Sequence, residues 1–219
     1  MSKHSRFYPG FGQLPQTLPV FPLENVIVMP GAELPLNVFE ERYLNMVEDA
    51  LRTQHMFGMI QPNPSREGGT PVLYRTGCAG RITAYSETPD GRILLSLTGL
   101  IRFDIVSELP TVRGYRMVVP DWSPYSADLK PEDVPGLLDR CRITNALGQF
   151  LKQKNMETDW QALEKVPPQH LVNTMATLLP IGALEKQAIL EAREPDECAD
   201  ILLTILEMSV GNGAGMSKH

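Results

Sequence analysis

Cysteine is scarce and scattered in this chain: Cys78, Cys141 and Cys198 lie far apart and form no Cys-x-x-Cys pair. An odd number of isolated thiols argues against a disulfide framework and for a reducing compartment, so we read all three as small buried hydrophobes. Histidine is just as sparse. His4, His55, His170 and His219 are dispersed, whereas a metal site needs several converging ligands, so no metal is expected. Long apolar runs are missing too, and nothing approaches the roughly 20 residues that a transmembrane helix needs. The basic start Met1-Ser-Lys-His-Ser-Arg6 runs into Phe7-Tyr-Pro-Gly-Phe-Gly12, which breaks up any signal-peptide core. The expectation is a soluble, cytoplasmic protein with no membrane contact.

Positive charge is also short. Lysine and arginine number 20 against 26 acidic residues, a net charge of -6, which opposes the non-specific pull of a phosphate backbone and disfavours nucleic acid as a partner. The serine-hydrolase elbow G-x-S-x-G, the phosphate loop G-x-x-x-x-G-K-[ST] and the zinc signature H-E-x-x-H are absent. Gly10 and Gly12 make half a dinucleotide fingerprint and follow no strand, so no cofactor is expected. Cys78, between Gly77 and Gly80, is the one conceivable nucleophile, but it has no recognisable base. Glu40 and Glu41, or Glu48 and Asp49, are adjacent pairs that point different ways on a helix, which suits solvated charge better than acid–base work. No catalytic residue is nominated.

What is present is a normal apolar content, 42%, arranged in two regimes. Residues 1–16 are rich in breakers and read as a flexible arm. From 17 to 121 the signal is β: Val20–Leu23 and Val26–Met29 read as two short edge-type strands among Pro19, Pro22 and Pro30. A helix follows, capped from Asn37, with Phe39, Tyr43, Met46, Val47, Ala50 and Leu51 on its apolar face. Met56–Ile60 reads as a strand. A hairpin spans Ala79–Ser86 and Arg92–Thr98 about Thr88-Pro-Asp-Gly91, with Ile93, Leu95 and Leu97 on one face. Leu100–Val106 and Arg113–Val119 continue the alternation, which suggests a curled antiparallel sheet. Arg81, Arg92, Arg102, Arg113 and Arg116 make this region locally basic; we read them as outward-facing solubilising charge, with a patch for nucleic acid or acidic peptide as the alternative.

The composition changes at the linker 121–131, and 130–210 reads as a helical bundle. One helix spans Val134 to Leu151, a short one Trp160 to Val166, a third ends at Pro180, a fourth covers Leu184–Ala192, and the last begins at Pro195. Residues 211–219 read as a disordered tail.

Several segments together resemble a known family. Leu18-Pro-Val-Phe-Pro-Leu-Glu-Asn-Val-Ile-Val-Met-Pro-Gly31 and Leu34-Pro-Leu-Asn-Val-Phe-Glu-Glu-Arg-Tyr43 resemble the opening of the Lon protease N-terminal, substrate-binding domain. Gly77-Cys-Ala-Gly-Arg-Ile82, Asp90-Gly-Arg92 and Leu97-Thr-Gly-Leu-Ile-Arg-Phe103 are similar to that family's central hairpin and next strand. Leu178-Leu-Pro180 with Glu185-Lys-Gln187 fits its helices. The resemblance covers about residues 18–208 and implies an α+β fold: a PUA-like β pseudo-barrel with an inserted helix, then a C-terminal α-helical bundle. It further implies a non-catalytic module that recognises unfolded or tagged polypeptides, alone or with a protease or chaperone partner. Homo-oligomerisation stays open. No ATPase or Ser-Lys protease segment follows here, so the family's proteolysis is not carried over. Contacts to exposed strand edges plus apolar pockets are the binding mode in view. An RNA-binding PUA-like module and an ATP-independent hydrolase are the alternatives.

Overall fold

A computed structural model describes residues 9–64, 71–111, 113–129 and 139–215. In chain order its elements are β1 (Leu18–Pro22), β2 (Glu33–Val38), α1 (Glu41–Arg52), β3 (Met56–Ile60), β4 (Pro62–Asn63), β5 (Val72–Leu73), β6 (Thr76–Glu87), β7 (Ile93–Leu109) and β8 (Arg116–Asp121). There follow α2 (Arg140–Gln153), α3 (Trp160–Glu164), α4 (Pro168–Leu178), α5 (Ala183–Glu191) and α6 (Pro195–Gly215). Short 3-10 segments cover Phe11–Gln13 and Ser123–Leu129. The main sheet runs β2-β7-β6-β3-β1-β8, and β8 also pairs with the far half of β7, so the sheet curls back on itself as a pseudo-barrel. Only the β1–β3 pairing is parallel in this sheet. The class is α+β, as the resemblance implies.

The curl encloses a small core in which Phe103 meets Trp122 edge-on at 5.6 Å. Outside it, a larger apolar cluster runs without a break from Phe21, Phe57 and Leu97 on the sheet, through Met46 and Val47 of α1, to Phe150, Leu171 and Leu206 on the helices. Sheet and helices thus share one core across the linker.

Several elements differ from the sequence reading. Val26–Met29 is not a strand; Ile27, Val28 and Met29 are buried in irregular chain, with the Met29 N–H donated to Thr177 Oγ1 at 3.1 Å. The second strand is β2, where Leu34, Leu36 and Val38 are buried and Glu33, Pro35 and Asn37 exposed. Asn37 therefore belongs to a strand and caps nothing. Its pairing along β7 outweighs a lone cap. Phe39 lies outside α1 and is 64% exposed. The strands expected on either side of Gly99 are one, β7. Gly99 is where another segment crosses closely: its N–H bonds Ala32 O at 2.9 Å, its carbonyl accepts from Gly31 N at 2.9 Å, and an added Cβ would lie 2.1 Å from Met29 O.

At the chain ends, Phe7 and Tyr8 lie outside the described residues, and Trp122 Nε1 ties the neighbouring segment down through Pro15 O at 3.1 Å. Val134, Leu137 and Leu138 also lie outside them; α2 opens at Arg140, capped by Asp139, which accepts from Arg142 N at 3.1 Å. α6 continues to Gly215. Cys141 is exposed and not buried as expected, while Cys78 and Cys198 are buried.

One side chain from the sheet reaches into the helices. Arg102 of β7 is buried and forks onto Asp128, Nε to Oδ2 at 2.9 Å and Nη2 to Oδ1 at 2.8 Å. Its Nη1 donates to the Ala192 carbonyl at the end of α5. Buried charge is tolerated only when paired and hydrogen-bonded. Asp128→Ala should therefore cost about 3–5 kcal/mol in urea unfolding, and the double replacement Arg102→Met, Asp128→Leu should recover much of it. A cost below about 1 kcal/mol, the usual worth of an exposed pair, would show that this pair does not join the layers.

Candidate functional site

Beyond the Met56 end of β3 the sheet narrows to three strands. The β3–β6 pairing stops at Met56 and Arg81, and the last bond to that side runs from Ile82 N to His55 O at 2.8 Å. β2, the first half of β7 and the second half of β6 continue as a flap. The strand alternation sorts its side chains: Leu34, Leu36 and Val38 pair with Leu97, Leu95 and Ile93 on the core side. On the outer side Asn37 pairs with Leu94 and Pro35 with Ser96, and on β6 Ser86 and Ala84 complete those rows.

Two large apolar side chains stand on this outer face. Leu94 is 45% exposed, and Phe39, in phase with Asn37 one residue beyond β2, lies under the Arg92 guanidinium at 5.9 Å. Pro35 and Ala84 add smaller exposed apolar surface. Tyr85 is exposed too, but it pairs with Leu95 and belongs to the other side. One signal for Leu94 was in the sequence: it is the apolar residue that breaks the alternation of Ile93, Leu95 and Leu97. Phe39 gave none, because it continued the helix pattern of α1.

Both edges of the flap are blunted. Pro35 gives β2 no N–H at its middle. β6 is irregular between Ile82 and Ala84, where the Thr83 hydroxyl turns onto Ser96 O and the Thr98 hydroxyl at 3.2 and 3.1 Å. Prolines and bulges are the standard obstacles to strand addition, so the face is better suited to contact than the edges. Around it the charge is acidic. Glu40 pairs with Arg42 at 2.7 Å and Asp90 with Arg92 at 2.8 Å, whereas Glu33 and Glu41 have no ion partner among the described residues.

The structure does not assemble the five arginines into one patch. Arg102 is buried. Arg113 binds Glu48 at 2.8 Å, Asn45 at 2.7 Å and also Asp49; Arg116 forks onto Glu108 at 2.9 and 2.5 Å; Arg92 pairs with Asp90, and Arg81 has contacts of its own. Glu48 and Asp49 are consequently held by a cation, and the hydrogen bond from Arg113 lowers the Glu48 pKa. Burial, with the Asp49 hydrogen bond next, pushes the Tyr115 hydroxyl up to about 12. His170 packs near Gly31, His55 sits at a positive φ of 57°, and the terminal histidines lie outside the described residues. Among the described residues no group of histidine, cysteine, aspartate or glutamate could hold a metal, and no helix is long and apolar enough to cross a membrane.

A curled mixed sheet that exposes Leu94 and Phe39 on one face, backed by a helical layer on a shared core, defines an α+β domain. The chain belongs to the substrate-binding domain family of ATP-dependent protease La (LON), whose model matches residues 17–208. It is similar to the Lon protease of Parabacteroides distasonis, 27% identical over 91% of this chain and 25% of that protein. Lon protease 2 of Myxococcus xanthus is likewise 27% identical, over 88% and 24%. The chain thus spans about a quarter of the length of the curated relatives it matches. In fold it is similar to the Lon N-terminal domain protein from Xanthomonas campestris, with a TM-score of 0.61 and 24% identity over 86% of this chain and 97% of that one. The N-terminal domain of Mycobacterium avium complex Lon protease matches at 0.59 and 13% identity, over 87% and 98%.

The Cys78 thiol is fully buried and its pKa is raised far above the ordinary range by desolvation; burial raises Cys198 as well. Thiolate is the reactive form. A disulfide reagent added to native protein should therefore label Cys141 promptly, and Cys78 and Cys198 only after unfolding. Prompt labelling of Cys78 would restore it as a candidate nucleophile.

Proposed function

We propose that this chain is a non-catalytic polypeptide-binding module, holding unfolded or tagged protein segments against the outer face of the β2–β7–β6 flap. Membership of a substrate-binding domain family supports a binding role. The observation that carries the reading is the exposure of Phe39 and Leu94 together on one face of a paired sheet. Unfolded chains differ from folded ones chiefly in offering apolar side chains, and exposed apolar surface on a rigid support is what can receive them. The RNA alternative loses its support once the arginines are seen to be dispersed and mostly matched by carboxylates, because phosphate recognition needs uncompensated cations.

The test is fluorescence anisotropy with labelled, reduced and carboxymethylated lactalbumin as the unfolded probe. Transfer of an apolar side chain contributes roughly 1.5–3 kcal/mol when fully buried, and about 1.4 kcal/mol is tenfold in affinity. Leu94→Asp and Phe39→Asp should each weaken binding about tenfold with the circular dichroism spectrum unchanged, since both positions are exposed. Wild-type affinity in both variants would remove the flap from the binding surface, and no affinity in the wild type would remove the function.

A further inference from the structure

We infer that the flap selects among polypeptides by charge, taking apolar segments flanked by lysine or arginine in preference to those flanked by acidic residues. The inference rests on the polypeptide-binding reading and adds the chemistry of the client. Leu94 and Phe39 on this face are bordered by Glu33 and Glu41, which have no ion partner among the described residues. Glu33 stands on the face itself, in the same alternation as Pro35 and Asn37. Glu41 opens α1, two residues beyond Phe39, and is exposed.

The cations nearby do not cancel them. Arg42 and Arg92 are each committed to a carboxylate of their own, Glu40 and Asp90. Arg81, across Thr98 from Glu33, has a contact of its own and adds one positive charge, which still leaves the four carboxylates Glu33, Glu40, Glu41 and Asp90 against the three cations Arg42, Arg81 and Arg92. The rim therefore carries net negative charge within reach of a docked segment, since exposed charges act over about a Debye length, roughly 8 Å at physiological salt. Charges at a rim govern partner choice and encounter more than intrinsic affinity. The same charges disfavour a second copy as the occupant, because two chains of net charge -6 would oppose their acidic rims.

The experiment uses three labelled peptides with one central Leu-Phe-Leu core, flanked on both sides by lysine, glutamine or glutamate, titrated with the full chain. The expected result is affinity in the order lysine, glutamine, glutamate, with about a tenfold span at low salt that shrinks as salt is raised. Glu33→Gln should narrow the span, and Glu33→Lys with Glu41→Lys should invert it. Equal binding of all three peptides would overturn the charge selection and leave the binding function standing. No binding of any peptide, together with no binding of unfolded lactalbumin, would sink both. Sedimentation of the free protein as a dimer that Leu94→Asp dissociates would give the face to a second copy and overturn the inference.

Discussion

A single buried cation ties the two halves of this structure. Arg102 leaves the sheet at β7 and ends among the helices, where Asp128 neutralises it with two parallel hydrogen bonds and also accepts from the Arg102 backbone N–H at 3.0 Å. Its guanidinium lies 4.6 Å from the ring of Tyr125, and that of Arg193 lies 4.7 Å from the same ring. Arg193 in turn reaches Asp104 at 3.4 Å, to which Thr76 donates at 2.7 Å. A guanidinium in a low-dielectric site loses much if any donor is stripped. The sheet, the 3-10 segment 123–129 and the end of α5 therefore have one relative placement that satisfies it.

A second polar seam reinforces that placement without charge. Gln61, at the end of β3, donates to the Ala183 carbonyl at 2.9 Å and to Gln187 Oε1 at 3.1 Å, and Gln187 donates to the Thr76 carbonyl at 3.2 Å. These groups are buried, so each bond that fails would leave a desolvated donor or acceptor. Lys186, next to Gln187 on α5 but outside this seam, is the expensive group nearby. It is buried with the Thr177 carbonyl as a hydrogen-bond acceptor at 3.2 Å, and desolvation alone lowers its pKa. The charged form is thus disfavoured by folding. That penalty is full below the lowered folded pKa and fades as pH rises toward the unfolded value. With helices held to the sheet on two seams, the flap extends from a base that has little freedom to shift.

The sequence disclosed most of this layout, and the failures share a physical cause. The alternation of Ile93, Leu95 and Leu97 and the apolar period of α4 to α6 read correctly because local spacing alone decides which face is buried. Val26–Met29 misled because a segment buried on every side has no period, and its burial depends on Thr177, 148 residues away. Gly99 looked like a strand break, when it is the residue that lets the loop at Met29–Ala32 cross a continuous strand. The arginines were misjudged for the same reason: Arg102 and Asp128 are 26 residues apart and Arg113 and Glu48 are 65 apart. Pairing at such separations is set by the fold, and no window of sequence contains it. Of the proposed site, Leu94 was legible as an exception to its own pattern, while Phe39 was hidden in a helical one.

The size of the exposed face limits how it can work. Two large apolar side chains that become fully buried contribute roughly 3–6 kcal/mol together. Association costs an estimated 4–15 kcal/mol in lost translation and rotation, so the side chains alone leave little surplus, and rim charge adds more to partner choice than to strength. On the proposed reading, a single flap would therefore suit brief, repeated sampling of a client and not firm retention. Firm retention follows when one unfolded segment meets several such faces, because the second contact is then made at high effective concentration. Blunted edges fit this regime. An open edge would invite strand addition, a contact with other copies as well as clients that is slow to release, whereas a face read through side chains lets go easily. On that reading, the same features that weaken one copy of the flap would keep its binding reversible.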